Sequence, residues 1–370
     1  MALTTDEPAT LASRYPAEAE LRPDYDLEDE PERSLFAASP TLVAALADLG
    51  TYLVPMYRDF DRSAIRQHRR HRWLAALVAI CGTAAVVLAT LQLTLEAGGR
   101  TDGWVYAVAG HSEPVVLSLA ALAVVLGLTL KLQKSWLVDR HKSERCRLAK
   151  FRLLADDRLW CGRREEWRVA VQAAASEIER LGAENVEQGA LHDQITEPPA
   201  SVATCSIPGP ELEALTAYYA SKRIGCQRQY FRNRAARLAR RDWPLRGLGP
   251  ALFFASVGAS LLHSVHHALN RTPHAGVALR DDLGLLLISA AAILPAFAAG
   301  LRTYRGAHEF GRSSALFEAK AAAMDDFAGR LARARGDAPA VLRVMWQCED
   351  FLEAENREWL RLMFEAEFYG

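Results

Sequence analysis

The chain has 370 residues, and its 44 Lys+Arg against 45 Asp+Glu give a formal net charge of -1 with a mean hydropathy close to zero. That length admits two or more domains, and the near-neutral total gives no basis for nucleic-acid binding. The average conceals a segregation, because acidic residues crowd the N-terminus while basic clusters flank four uncharged runs.

Residues 1–34 include Asp24, Asp26, Glu28, Asp29, Glu30 and Glu32 and few large apolar side chains, so this acidic segment is expected to be disordered. No basic region followed by an apolar run opens the chain, which leaves the first span to direct insertion. Trp73–Leu95, dominated by Ala, Val and Leu, is that span, because about 20 such residues in a helix cross a hydrocarbon core of about 30 Å. Pro114–Leu130 is the second, extended by Lys131 and Lys134, whose stems can snorkel. The third begins at Gly247–Leu262 and continues through histidines to Asn270, and Leu283–Leu301 is the fourth. Backbone amides in lipid must be satisfied within the segment, so the runs are helices. The fold class expected is an all-α membrane protein, with four transmembrane helices in two hairpins and long cytoplasmic helices.

Arginines set the orientation. Arg69, Arg70 and Arg72 precede the first span, Lys131 and Lys134 follow the second, Arg240, Arg241 and Arg246 precede the third, and Arg302 and Arg305 follow the fourth. The turns inside each hairpin carry only Arg100 in one and Arg271 and Arg280 in the other. Both termini are therefore expected in the cytoplasm, with the protein a multi-pass one of a plasma membrane. The six clustered arginines before the spans either set topology alone or also engage anionic lipid head groups.

Each half has the same order of parts: a basic approach helix, a two-span hairpin, a basic exit helix, and a helix with a Glu-Trp pair. The first half is placed at 41–195 and the second at 211–370, with a Pro-rich linker at 196–210. Ala149-Lys150 precedes Asp156-Asp157 much as Ala319-Lys320 precedes Asp325-Asp326. An exit helix from Leu132 to about Leu181 would run unbroken unless Gly162 interrupts it. Trp167, Val171, Ala174, Ile178 and Leu181, and likewise Met345, Leu352, Trp359 and Met363, have coiled-coil-like spacing, open to packing within one chain or between chains.

Several residues invite a chemical role. His263, His266 and His267 have a spacing that can bind a metal, as in one histidine box of membrane desaturases, or they end a helix at the interface. Thr83, Thr90 and Thr94 share a face of the first span and either line a polar path or bond back to their own helix. Ala255, Ser256, Ala259, Ser260, Ala292 and Ala296 allow close helix packing, and Pro295 removes a backbone donor where it should kink or loosen the fourth span. No phosphate-cradling glycine loop, nucleophile elbow or H-E-x-x-H appears, so neither an enzyme nor a cofactor is expected. The six cysteines, Cys81, Cys146, Cys161, Cys205, Cys226 and Cys348, lack C-x-x-C spacing and read as unpaired thiols.

The two hairpins, together with the C-terminal Glu353-Ala354-Glu355-Asn356-Arg357-Glu358-Trp359, resemble the SLATT family, apparently in tandem. These are bacterial two-span modules associated with SMODS nucleotidyltransferases and SLOG nucleotide sensors. The resemblance implies a pore-forming or channel-like effector of a defence or conflict system, acting as a homo-oligomer in the lipid bilayer downstream of a sensor protein. A scaffold for cytoplasmic partners or anionic lipid is the alternative, and a metal-dependent membrane enzyme a third.

Overall fold

The structure, a computed structural model, describes residues 39–99, 101–184, 206–271, 281–308 and 310–365. The acidic N-terminal segment, most of the Pro-rich linker and Cys205 lie outside them. Among the described residues every regular element is helical: α1 (Pro40–Ala97), α2 (Trp104–Thr129), α3 (Leu132–Leu154), α4 (Asp157–Trp160), α5 (Arg164–Arg180), α6 (Gly209–Tyr219), a π-helical turn (Ala220–Gly225), α7 (Cys226–Arg271), α8 (Asp281–His308), α9 (Phe310–Arg333) and α10 (Ala338–Glu365). Parts of α1 and α7, together with α2 and α8, are long and apolar enough to cross a membrane, and between 6% and 11% of their most apolar windows is buried within the protein. So little burial of Leu, Val and Phe is tolerable only where lipid replaces water. The protein is thus an all-α membrane protein.

The chain folds into two compact units that both draw on each half of the sequence. Among the described residues, the first comprises those up to His68, within Gln133–Arg234 and from Phe317 onward, and the second those within Arg69–Leu132 and Ala235–Leu316. The first unit has a continuous apolar core containing Leu42, Leu49 and Leu53 of α1, Phe151 and Leu154 of α3, Leu215 and Tyr219 of α6, and Met324, Val341 and Leu342 of α9 and α10. Its exit segment is not one rod. Helix α3 stops at Leu154, Asp156 accepts from the Arg158 amide to cap α4, and Gly162 turns the chain with φ +78° before α5. Glycine takes that left-handed conformation without the Cβ clash other residues meet.

Both stripes with coiled-coil-like spacing are largely consumed inside this unit. Trp167, Val171 and Ile178 are buried and Ala174 packs against the core, while Met345 and Leu352 are buried in it. Trp359 and Met363 pack on a smaller cluster of Trp136, Leu137 and Leu360. A bundle between chains through these faces would require the core to open.

The second unit is built from antiparallel helix neighbours in constant register. Gly98 meets Leu285 and Gly300 meets Thr83, which pairs α1 with α8. Gly110 faces Gln92, which pairs α2 with α1. Ser256 bonds across to the Ala291 carbonyl, which pairs α7 with α8. The second span is longer than the uncharged run alone, since α2 begins at Trp104 and continues through Pro114. After α2, Lys131 adopts φ 44°, a conformation rare for a residue with a Cβ, and separates it from α3.

Candidate functional site

Within the second unit the three threonines bond back to their own helix. Thr83, Thr90 and Thr94 donate to the carbonyls of Ala79, Val86 and Thr90, four residues back, at 2.9, 2.8 and 2.7 Å. Their hydroxyls are thus satisfied within α1. The methyl and hydroxyl of Thr83 also form the wall against which Gly300 packs, where an added Cβ would lie 2.9 Å from the hydroxyl oxygen.

The small residues divide into two groups. Ser256 and Ala259 are buried, with the Ser256 hydroxyl 2.8 Å from the Ala291 carbonyl of α8, whereas Ala255, Ser260 and Ala292 are exposed and Ala296 is half-buried. Helix α8 runs through Pro295 without interruption.

The histidines sit where α7 packs on the start of α8. His263 Nδ1 lies 3.1 Å from the Gly284 carbonyl, and His266 is buried, its ring so near Gly284 that a Cβ there would lie 3.1 Å away. His267 stacks on His263 with ring centroids 6.3 Å apart. The contacts of His263 and His266 with Gly284 join two spans, and among the described residues no group of three His, Cys, Asp or Glu could hold a metal ion. His274 lies outside the described residues, and His111 is exposed.

Arg69, Arg70, Arg72, Arg240, Arg241 and Arg246 are all exposed, as are Trp73, Trp104 and Trp243 at 69%, 78% and 81%. Indole rings left this open at the ends of spans suit the membrane–water boundary. The basic pattern concealed a carboxylate. Asp242 is buried between Arg246 and Arg305, at 2.8 and 2.7 Å, and ties α7 to α8. The hydrogen bond from Arg305, aided by Arg246, holds its carboxyl below the usual range despite burial.

In the first unit the C-terminal acidic motif closes along α3. Arg145 and Arg152 both pair with Glu353, and Arg152 reaches Asp350 at 2.5 Å. Asn356 Nδ2 approaches His141 Nδ1 at 3.2 Å, and Trp359 meets Trp136 with centroids 5.5 Å apart. Glu355 pairs with the buried Lys320 of α9. On the opposite side of α3, α1 supplies Asp61 to Arg140 at 3.3 Å and Gln67 to Asp139 at 2.9 Å. Burial alone would raise the Glu144 pKa, but Arg140, Arg147 and Arg223 outweigh it and keep the carboxylate ionised.

A fully buried ion pair escaped the sequence pattern. Arg223, 1% exposed, grips Glu349, 0% exposed, with Nε and Nη2 at 2.8 and 2.5 Å, while the Tyr219 hydroxyl donates to the same carboxylate at 2.8 Å. The π-helical turn aims Arg223 inward, and Gly225 ends it where a Cβ would crowd the Ala220 carbonyl at 3.2 Å. Removing one member of such a pair typically costs about 3–5 kcal/mol, since the other charge stays buried. A π-turn has no reliable sequence signature, and Arg223 reads as one more basic residue of an approach helix. No protein-family model, curated protein or solved structure matches the chain.

Proposed function

We propose that the protein is a non-enzymatic membrane effector that perturbs or permeates the bilayer as a homo-oligomer. Its termini and arginine-rich flanks face the cytoplasm of a bacterial cell, and it acts downstream of a separate sensor, as the resemblance to the SLATT family implies. One observation supports an action in the bilayer: where apolar surface remains unspent. Among the described residues of the first unit only Val43, Tyr52, Ile65 and Val169 are large exposed apolar side chains, whereas the second unit exposes Val115, Leu122, Leu128, Phe253, Phe254 and many more. A scaffold recruiting partners through its long helices would need the faces that the first unit has buried.

The threonine hydroxyls bond back to their own helix, and four spans are few to enclose an aqueous path, so in this reading the path forms between copies. Inducible expression with a membrane-potential dye, with and without the neighbouring genes, tests this. Depolarisation on induction is expected. A protein that stays monomeric in mild detergent and leaves the potential intact in both settings would refute the effector reading.

A further inference from the structure

We infer that the arginine-rich end of the α7–α8 pair is a site for the phosphate of an anionic phospholipid, organised by Asp242. This inference needs only that the two helices span a membrane, and it stands apart from the effector reading. The Asp242 side chain is 3% exposed and accepts from Arg246 Nη2 at 2.8 Å and from Arg305 Nε at 2.7 Å. It is covered at close range by those two guanidinium groups.

One carboxylate therefore fixes two arginines and leaves the triad with a net positive charge. Arg246 and Arg305 each use one donor nitrogen on Asp242, and their side chains remain 68% and 39% exposed. Their other N–H groups engage no protein group among the described residues. Two anchored planar forks with unspent donors match the oxygens of a phosphate, and anchoring removes part of the entropy that long side chains lose on binding.

The neighbourhood selects a lipid over a soluble anion. Arg241 and Arg302, close in sequence to Asp242 and Arg305, are exposed, and Asp242 is the only acidic residue in α7. Trp243 is 81% exposed, and Phe253 and Phe254 continue an open apolar surface along the same helix. A ligand satisfying both features carries a phosphate head and acyl tails. The arginines before the first span, Arg69, Arg70 and Arg72, have no comparable carboxylate clamp among the described ion pairs, and are expected to attract lipid only diffusely.

Native mass spectrometry of the detergent-purified full chain tests the site, with phosphatidylglycerol and phosphatidylcholine of equal chain length as probes. Wild type should retain phosphatidylglycerol preferentially, and Arg246→Gln or Arg302→Gln should each lower retention about fivefold, the worth of one basic residue near a membrane surface. Arg69→Gln with Arg70→Gln, which touch neither the carboxylate nor its two arginines, should lower it less than Arg246→Gln alone does. Asp242→Asn is decisive because it makes the region more positive while loosening the hold on both guanidinium groups. Retention should fall if the clamp matters, and a rise would show diffuse charge and overturn the site.

Arg246→Lys, which keeps the charge but loses the fork, should also weaken retention. Helix content and elution volume check that each variant is folded. Equal retention of both lipids by wild type, or displacement of phosphatidylglycerol by millimolar inorganic phosphate, would equally refute a lipid site.

Discussion

At the scale of single residues, the first unit contains a histidine held neutral by its surroundings. Burial, and next the Arg145 cation, push the His141 pKa down to about 4, against the opposing pull of Glu353 and Glu144. The bond from the Asn356 amide to Nδ1 uses the ring nitrogen as an acceptor, which only a neutral imidazole offers. The folded pKa is depressed below the ordinary value of about 6.5, so the unfolded chain binds the extra proton first as pH falls. The stability His141 contributes is therefore complete above about pH 6.5 and is lost on acidification toward pH 4, at up to about 1.4 kcal/mol per pH unit. Asp61 and Asp350, whose pKa values burial raises, work in the opposite sense and would mask part of this slope. His141→Gln removes the titration, so the loss of thermal stability of wild type between pH 7 and pH 5 should exceed that of the variant by about 1–2 kcal/mol in equivalent terms. Parallel loss in both proteins would show that His141 is not a protonation-sensitive residue.

At the scale of elements, helices in lipid associate through close packing, since lipid removes the hydrophobic drive between them. A Cβ added at Gly300 of α8 would lie 2.9 Å from the Thr83 hydroxyl of α1, and that β-branched side chain has little freedom to rotate away. Gly300→Val should thus separate the two helices and destabilise the second unit by about 1–3 kcal/mol in denaturation titrations in detergent. Gly98→Ala should cost less, because the Leu285 end it meets is flexible. No difference between the two would argue against α1–α8 packing. The spans themselves were legible because uncharged length is a bulk property, and the flanking arginines and tryptophans mark their ends. The Ala-Lys likeness between the halves also reappears in structure: Lys150 lies over Phe151 and Tyr218, and Lys320 over Phe231 and Phe317, both ammonium groups being buried against rings. The Asp pairs that follow do not correspond, for Asp156 caps α4 whereas Asp325 lies within α9 and pairs with Arg228 and Arg232. What sequence could not supply were partners distant along the chain, such as Asp242 for Arg305 or Glu349 for Arg223, because charge type alone does not say which residues meet.

At the scale of the whole molecule, an oligomer must use surface that one copy leaves open. The small residues of the third and fourth spans form one pattern in the sequence, yet the structure assigns them to different surroundings. Ser256 is occupied in the contact between α7 and α8 and Ala259 is buried, whereas Ala255, Ser260 and Ala292 face outward. Leucine at Ser256 would lose the bond to Ala291 and force bulk into a packed contact, so Ser256→Leu should damage the fold of the hairpin itself and lower the yield of folded protein. Leucine at an outward position meets no neighbour in the same copy. Ala292→Leu combined with Ala255→Leu should therefore leave insertion and helix content intact, while reducing oligomer size in detergent and any depolarisation on expression together. Loss of depolarisation with the oligomer unchanged would place the path elsewhere, and an unchanged oligomer with full activity would exclude this face from assembly. The exposed Val115, Leu119 and Leu122 of α2 would then be the next surface to alter by the same comparison.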